Sequence, residues 1–217
     1  MSRTLTIDIV SDPVCPWCYV GKRRLEQALA LRPDVDARIN WLPFQLSPDM
    51  PREGRDRQAH YASIFGEQRA QTIMESMSQT GESVGLNFEL KPGAKSPNTL
   101  SAQVLLYWAG RDARIDQDAL AEKLFAAHHI DCADIGDPTV LARLASEVGM
   151  DATSVEADLR AGRDEDLIAA LIEQARAAGV TGVPFFILDH RLALSGAQPT
   201  DVLAQALDQA LESEVAS

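Results

Sequence analysis

Leu5, Ile7 and Ile9 alternate with Thr4, Thr6 and Asp8, the period-two pattern of a strand, and Asp12-Pro13 ends the run. From about Cys15 to Leu31 the period changes. Leu25 and Leu29 stand one helical turn apart, which predicts a helix, and Pro33 stops it. Residues 37–46, ARINWLPFQL, are rich in branched and aromatic side chains and read as a second strand. The proline-punctuated stretch Ser47-Pro48-Asp49-Met50-Pro51 marks the first boundary.

From 58 to 178 the pattern is helical, with little that reads as strand. Helices are predicted over 58–84, over 97–110 opening at Ser96-Pro97, and over 117–129. Asp137-Pro138 is a cap followed by proline and starts a helix through Val148, closed by Gly149. Shorter helices follow, and one from about Asp164 ends at Gly179. Then GVPFFIL (182–188) and RLALSG (191–196) read as two strands joined by a turn at Asp189-His190, and a last helix covers Pro199 to Leu211. The order is β-α-β, a long helical block, then β-β-α. A β-α-β start calls for a right-handed crossover and a parallel strand pair.

A chain of 217 residues can bury a core without disulfide or metal staples. Its formal net charge of −12 repels phosphate backbones and anionic lipid, which argues against nucleic-acid and membrane-surface partners. No apolar run approaches the roughly 18 residues of a membrane span. Asp8 and Asp12 fall where a signal peptide would need its apolar stretch, so a cytoplasmic location is expected. Cys15, Cys18 and Cys132 are too few, and odd in number, for a structural disulfide framework.

The chemistry concentrates at Cys15-Pro16-Trp17-Cys18, which follows the first strand and opens the first helix. Cysteines at i and i+3 of a helical turn have Cα atoms roughly 5–6 Å apart, close enough for a disulfide. The first sulfur sits where free backbone N–H groups and the helix dipole favour an anion. Pro16 lacks an N–H and suits the first turn, leaving the amides of Trp17 and Cys18 as donors. On this reading Cys15 meets solvent while Cys18 faces the body of the fold. A lone C-x-x-C can also be half a zinc site. The further ligands would be His128, His129 and Cys132, distant in sequence and predicted helical, so thiol–disulfide exchange is the stronger reading and no metal is expected. With this motif the element order predicts an α/β, thioredoxin-like fold with a large all-helical insertion domain at 51–178. Residues 1–50 and 179–217 would form the discontinuous thioredoxin-like domain. Thr181-Gly182-Val183-Pro184 precedes a strand, where proline fits an edge placement or a cis peptide. The thioredoxin-like order favours the cis form.

These blocks, DIVSDPVCPWCYVGKRRLEQAL (8–29), FQLSPDMP (44–51), SPNTLSAQ (96–103), GVTGVPFFIL (179–188) and SGAQP (195–199), resemble the DsbA-like thioredoxin-fold oxidoreductases, and within them the FrnE-like branch. The resemblance implies a disulfide oxidoreductase with Cys15 as nucleophile, Cys18 as resolving cysteine and Pro184 as the facing cis-proline. No cofactor is implied. The expected partners are polypeptides bearing thiols or disulfides, with glutathione or another small thiol as a candidate redox partner. Two departures stand out: Gln103 occupies a position where the family often has histidine, and Cys132 is single where some members have a second pair. The chain is also similar to the kappa-class glutathione transferases and 2-hydroxychromene-2-carboxylate isomerases. These typically have serine at the first motif position, so Cys15 and Cys18 favour dithiol chemistry over that alternative.

Around the motif, Trp17 reads equally as a contact for a partner polypeptide or as a cover for the disulfide, and the Val183 backbone as a strand-pairing site for an extended substrate. Asp12 is expected to be a solvated turn carboxylate, and Lys22, Arg23 and Arg24 a solvated helix face. His128-His129 reads as a helix-end pair satisfied by water or backbone. No role is assigned to His60 or His190.

Overall fold

A computed structural model describes residues 3–212. The central strand is β1 (Arg3–Ser11). Parallel to it on one side runs β2 (Val35–Pro43), reached through α1 (Pro16–Ala30). On the other side lie β5 (Phe185–Leu188) and then β6 (Leu192–Ser195), each antiparallel to its neighbour. The resulting order, β2-β1-β5-β6, is that of a thioredoxin-like sheet. Toward its C-terminal end β1 is covered on both faces: Ile7 and Ile9 are buried, and so are Asp8 and Val10. Asp8 remains polar by accepting a hydrogen bond from Asn40 Nδ2 at 2.8 Å and pairing with His190 Nδ1 at 3.1 Å. The β5–β6 turn falls at Asp189-His190 as expected. Both residues have positive φ, 47° and 56°, the geometry that matches hairpin twist. The Asp189 carboxylate also accepts from the Thr6 amide at 2.8 Å, tying the turn to β1.

The intervening segment is helical except for a two-residue ladder between β3 (Arg55–Asp56) and β4 (Lys95–Ser96). The single helix predicted over 58–84 is two, α2 (Arg57–Phe65) and α3 (Glu67–Glu82), because Gly66 breaks the run at φ 79°. The helix expected from Ser96-Pro97 begins later, as α4 (Leu100–Arg111), since Ser96 is held in the β3–β4 ladder. There follow α5 (Gln117–His129), α6 (Pro138–Ser146), α7 (Ala152–Arg160), α8 (Glu165–Ala177) and, after β6, α9 (Thr200–Glu212). Asp137 caps α6 through the Thr139 amide, with Pro138 in the first turn, as the sequence predicts.

One apolar core runs from the sheet into the helical segment. Tyr19 of α1 stacks on Phe125 of α5 at 5.1 Å between ring centroids, and Trp41 of β2 meets Phe125 edge-on at 5.6 Å. Each such fully buried large side chain stabilises the fold by about 1.5–3 kcal/mol. The packing therefore fixes α1, and the cysteines at its start, against both the sheet and the helices. Among the described residues no helix is long and apolar enough to cross a membrane.

Candidate active site

Cys15 is the N-cap of α1, with extended backbone (φ −84°, ψ 112°), and Pro16 occupies the first turn. The Cys18 amide donates to the Cys15 carbonyl at 3.0 Å, closing the turn that sets the two thiols beside each other; the Cys15 thiol makes no cap hydrogen bond, so the expectation that the amides of Trp17 and Cys18 serve the sulfur is corrected. Both cysteines are free. Cys15 is 3 % exposed and Cys18 1 %, so the expectation that Cys15 meets solvent is corrected. The reason is the Val183–Pro184 segment, which lies against it: the Cys15 thiol donates to the Val183 carbonyl at 3.7 Å. The Val183–Pro184 bond is cis.

The approach of α1 to that segment depends on Gly21. A Cβ there would sit 3.0 Å from Pro184 Cγ and 3.1 Å from Phe186 Cζ. Glycine inside a helix is otherwise disfavoured, so this residue was a readable signal of close packing. Trp17 projects outward, 38 % exposed, and Pro16 is buried. The Cys18 thiol is pushed well above its ordinary range, chiefly by burial and then by the adjacent Cys15, while the Ser11 hydroxyl and the Asp12 amide act the other way. Cys18 is thus the partner that keeps its proton.

Three of the expectations around the motif are overturned. Asp12 is not a solvated turn carboxylate but is 1 % exposed, accepting from the amides of Leu46 at 2.8 Å and Val14 at 3.4 Å. Burial raises its pKa to about 6 against the pull of those hydrogen bonds. Lys22 is not on a solvated face either. It is 4 % exposed and surrounded by Glu26, Asp118 at 3.1 Å and Glu122 at 3.4 Å, because α1 packs against α5. Arg23 joins Glu26 and Glu122 there, and Arg24 donates to the Ala197 carbonyl at 2.6 Å. Cys132 lies just beyond α5 rather than within it, at φ 59°, with its thiol donating to the Glu89 carbonyl at 3.3 Å.

Gln103, buried in α4, donates from Nε2 to the carbonyls of Ser11 at 2.9 Å and Phe44 at 2.6 Å. It pins together the ends of the two parallel strands next to the motif. His129 is buried, and its Nε2 donates to the Pro13 carbonyl at 3.0 Å. His128 Nδ1 and carbonyl both face Arg57. Burial lowers both imidazoles, His129 to about 3, so both are neutral at pH 7. Among the described residues no group of three or more His, Cys, Asp or Glu converges in a way that could hold a metal ion.

A cavity borders the motif on its helical side, and a second adjoins the first. One, of about 280 Å³, reaches Val14 and Pro16 and is walled by Leu46, Tyr61, Ile64 and Phe65. The other, of about 300 Å³, shares Tyr61 and His128 with the first and extends to Arg57. Sequence reasoning singled out neither Tyr61 nor Arg57, because no local pattern links α2 to a motif forty residues earlier in the chain.

Comparison with known proteins agrees with this architecture. The family model for the DSBA-like thioredoxin domain matches residues 6–208. The uncharacterized protein YwbO of Bacillus subtilis is 27 % identical over 205 residues, 94 % of this chain and 96 % of that one. The crystal structure of a probable DsbA oxidoreductase of Streptomyces coelicolor superimposes with a TM-score of 0.85 at 31 % identity, covering 96 % of this chain and 90 % of the other. The cytosolic disulfide reductase DsbM of Pseudomonas aeruginosa, solved with glutathione, shares the fold at a TM-score of 0.61 and 20 % identity, covering 95 % and 99 % of the two chains. With its sheet order, its dithiol turn and the family match over nearly its whole length, the chain belongs to the DSBA-like thioredoxin domain family, a family of thiol oxidoreductases.

Proposed function

We propose that the protein is a dithiol–disulfide oxidoreductase in which Cys15 carries the exchange and Cys18 resolves it, acting on polypeptide thiols and disulfides. The observation that carries this reading is the asymmetry of the pair. Cys15 stands at the N-terminus of α1, where the helix dipole favours an anion although its thiol makes no cap hydrogen bond, while the buried Cys18 is held in its protonated form. When the pair is a dithiol, Cys15 Sγ attacks a substrate disulfide and expels one substrate thiolate. Cys18 then attacks Cys15 Sγ, releases the second thiolate and leaves a Cys15–Cys18 disulfide. The reverse sequence oxidises a substrate dithiol.

The Val183 carbonyl next to Cys15 Sγ supports docking of an extended substrate by main-chain pairing at this point, and exposed Trp17 offers an apolar contact beside it. Glutathione-dependent isomerisation is the less favoured reading, since a second thiol in contact with the first would divert any glutathione adduct into disulfide exchange. Trapping tests the proposal. Cys18→Ser protein should accumulate mixed disulfides on Cys15 when given a cysteine-containing disulfide peptide, and Cys15→Ser protein should accumulate none. Adducts formed equally by both variants would refute the assignment.

A further inference from the structure

β1 ends on a polar residue where its pattern calls for an apolar one. Leu5, Ile7 and Ile9 lie on the face of the sheet that shares one apolar cluster with Cys18, and alternation puts Ser11 next on that face. Ser11 is 3 % exposed, and its Oγ is buried with no hydrogen-bond partner among the described residues. A buried hydroxyl without a partner is costly, and an apolar side chain in its place would avoid that cost. The backbone holds the residue where it is: the Ser11 carbonyl accepts from the Phe44 amide at 3.2 Å and from Gln103 Nε2 at 2.9 Å.

The group beside this hydroxyl is the resolving thiol. The Cys15 amide donates to the Asp12 carbonyl at 2.9 Å, a tight turn that folds the start of α1 back over the end of β1. Cys18, one helical turn in, thereby meets the Ser11 hydroxyl and the Asp12 amide, and both favour its anion. Of the titratable side chains around it, Cys15 acts on it directly, while the Asp12 carboxylate turns to the amides of Leu46 and Val14. A thiol is a weak acceptor and a thiolate a strong one. The hydroxyl is therefore idle while Cys18 keeps its proton and gains a partner once that proton leaves.

Exchange forms that anion in both directions. In resolution Cys18 gives up its proton and its thiolate attacks Cys15 Sγ. The bond from Cys15 to the substrate sulfur breaks, and the substrate thiolate leaves and takes up a proton. On reduction of the Cys15–Cys18 bond, an incoming thiolate attacks Cys15 Sγ and expels the Cys18 thiolate. Either way charge develops on a sulfur that burial and Cys15 push toward the thiol form. A donor already in place stabilises such charge without reorganisation. We propose that Ser11 Oγ–H, assisted by the Asp12 amide, is the hydrogen-bond donor that receives the Cys18 thiolate, which makes Ser11 a catalytic residue of the resolving step. The inference rests on the dithiol reading and adds a third side chain to it.

Removing the hydroxyl lowers the fraction of Cys18 present as thiolate and raises the nucleophilicity of what remains, the second effect cancelling about half of the first on a logarithmic scale. Loss of one hydrogen bond to the anion should therefore slow resolution about three- to tenfold. The chromogenic disulfide dithiobis(nitrobenzoate) separates the half-steps, because reduced protein releases one thionitrobenzoate when Cys15 attacks and a second when Cys18 resolves. Stopped-flow absorbance on a Cys132→Ala background reads both: the first phase rises with reagent concentration and the second does not. Ser11→Ala should slow the second phase about three- to tenfold and displace its pH dependence to higher pH, with the first phase unchanged. It should also melt no lower than its parent, because the deleted hydroxyl has no partner in the dithiol state. An unchanged second phase, equal slowing of both phases, or slowing without a displaced pH dependence would overturn the assignment. A Ser11→Ala protein that fails to fold would place the hydroxyl's role in the fold and overturn it as well. If the parent's second phase instead rose with reagent concentration, Cys18 would not be resolving, and the dithiol reading itself would fall.

Discussion

His129 links the fold to the motif, and its titration makes a quantitative prediction. The neutral ring is buried between Tyr19, Phe88 and Phe125, and its Nε2 holds the Pro13 carbonyl two residues before Cys15. Its folded pKa is lowered to about 3 by burial first, and then by the Arg57 charge. In the unfolded chain the value is about 6.5. Between these limits the unfolded state binds the extra proton, so the stability this group contributes is complete above about pH 6.5 and is lost as pH falls toward 3. At pH 4.5 about two pKa units of that gap have been crossed, a loss of about 3 kcal/mol at about 1.4 kcal/mol per unit. Set against typical domain stabilities of about 5–15 kcal/mol, this is a large fraction. Replacement by Gln keeps an N–H donor for the Pro13 carbonyl and removes the titration. Urea unfolding followed by circular dichroism, at pH 7.5 and pH 4.5, measures the difference. Wild type should lose about 3 kcal/mol more than His129→Gln on acidification. The lowered His128 remains in both proteins and largely cancels in the comparison. Parallel losses in the two proteins would refute the reasoning.

The remaining predictions concern the immediate surroundings of the dithiol. Gly21→Ala drives a Cβ into Pro184 and Phe186, so thermal denaturation should show a loss of about 1–3 kcal/mol, with slower exchange at Cys15; an unchanged melting temperature would count against the packing argument. Asp12 has the opposite sign to His129. Its folded pKa is raised to about 6, so its charge opposes folding at neutral pH; in the same urea series, acidification from pH 7.5 to 4.5 should favour wild type over Asp12→Asn by about 2 kcal/mol, and equal changes in the two proteins would count against it. Cys132→Ala should leave dithiol turnover within about twofold, less than roughly 0.5 kcal/mol on the barrier, and trapped adducts on Cys132 would contradict the two-cysteine scheme.

Local signals carried the thioredoxin-like sheet and its dithiol turn. Alternation in β1, a cap-and-proline start at Cys15-Pro16, the Asp189-His190 turn and the Asp137-Pro138 cap all act within a few residues, and each lies where the pattern places it. What the sequence hid depends on contacts between distant segments. Asp12 and Lys22 look like surface residues until β2 and α5 close over them, bringing the Leu46 amide and the acids Asp118 and Glu122. The Arg57 cavity needs α2, α3 and the end of α5 together, and no spacing of residues announces such a convergence. The one missed residue with a readable signal was Gly21, whose presence inside a helix already implied a close neighbour.

The central claim is that Cys15 and Cys18 interconvert between dithiol and disulfide as one unit. Equilibration of the protein in glutathione buffers of graded composition, with thiol alkylation read by mass spectrometry and Trp17 fluorescence in parallel, measures this directly. The account predicts one two-electron transition in which Cys15 and Cys18 lose their thiols together, fluorescence follows the same curve, and Cys132 takes no part in the internal bond. Cys15 and Cys18 remaining separate thiols across the whole range, or each carrying its own glutathione adduct without an internal bond, would contradict it.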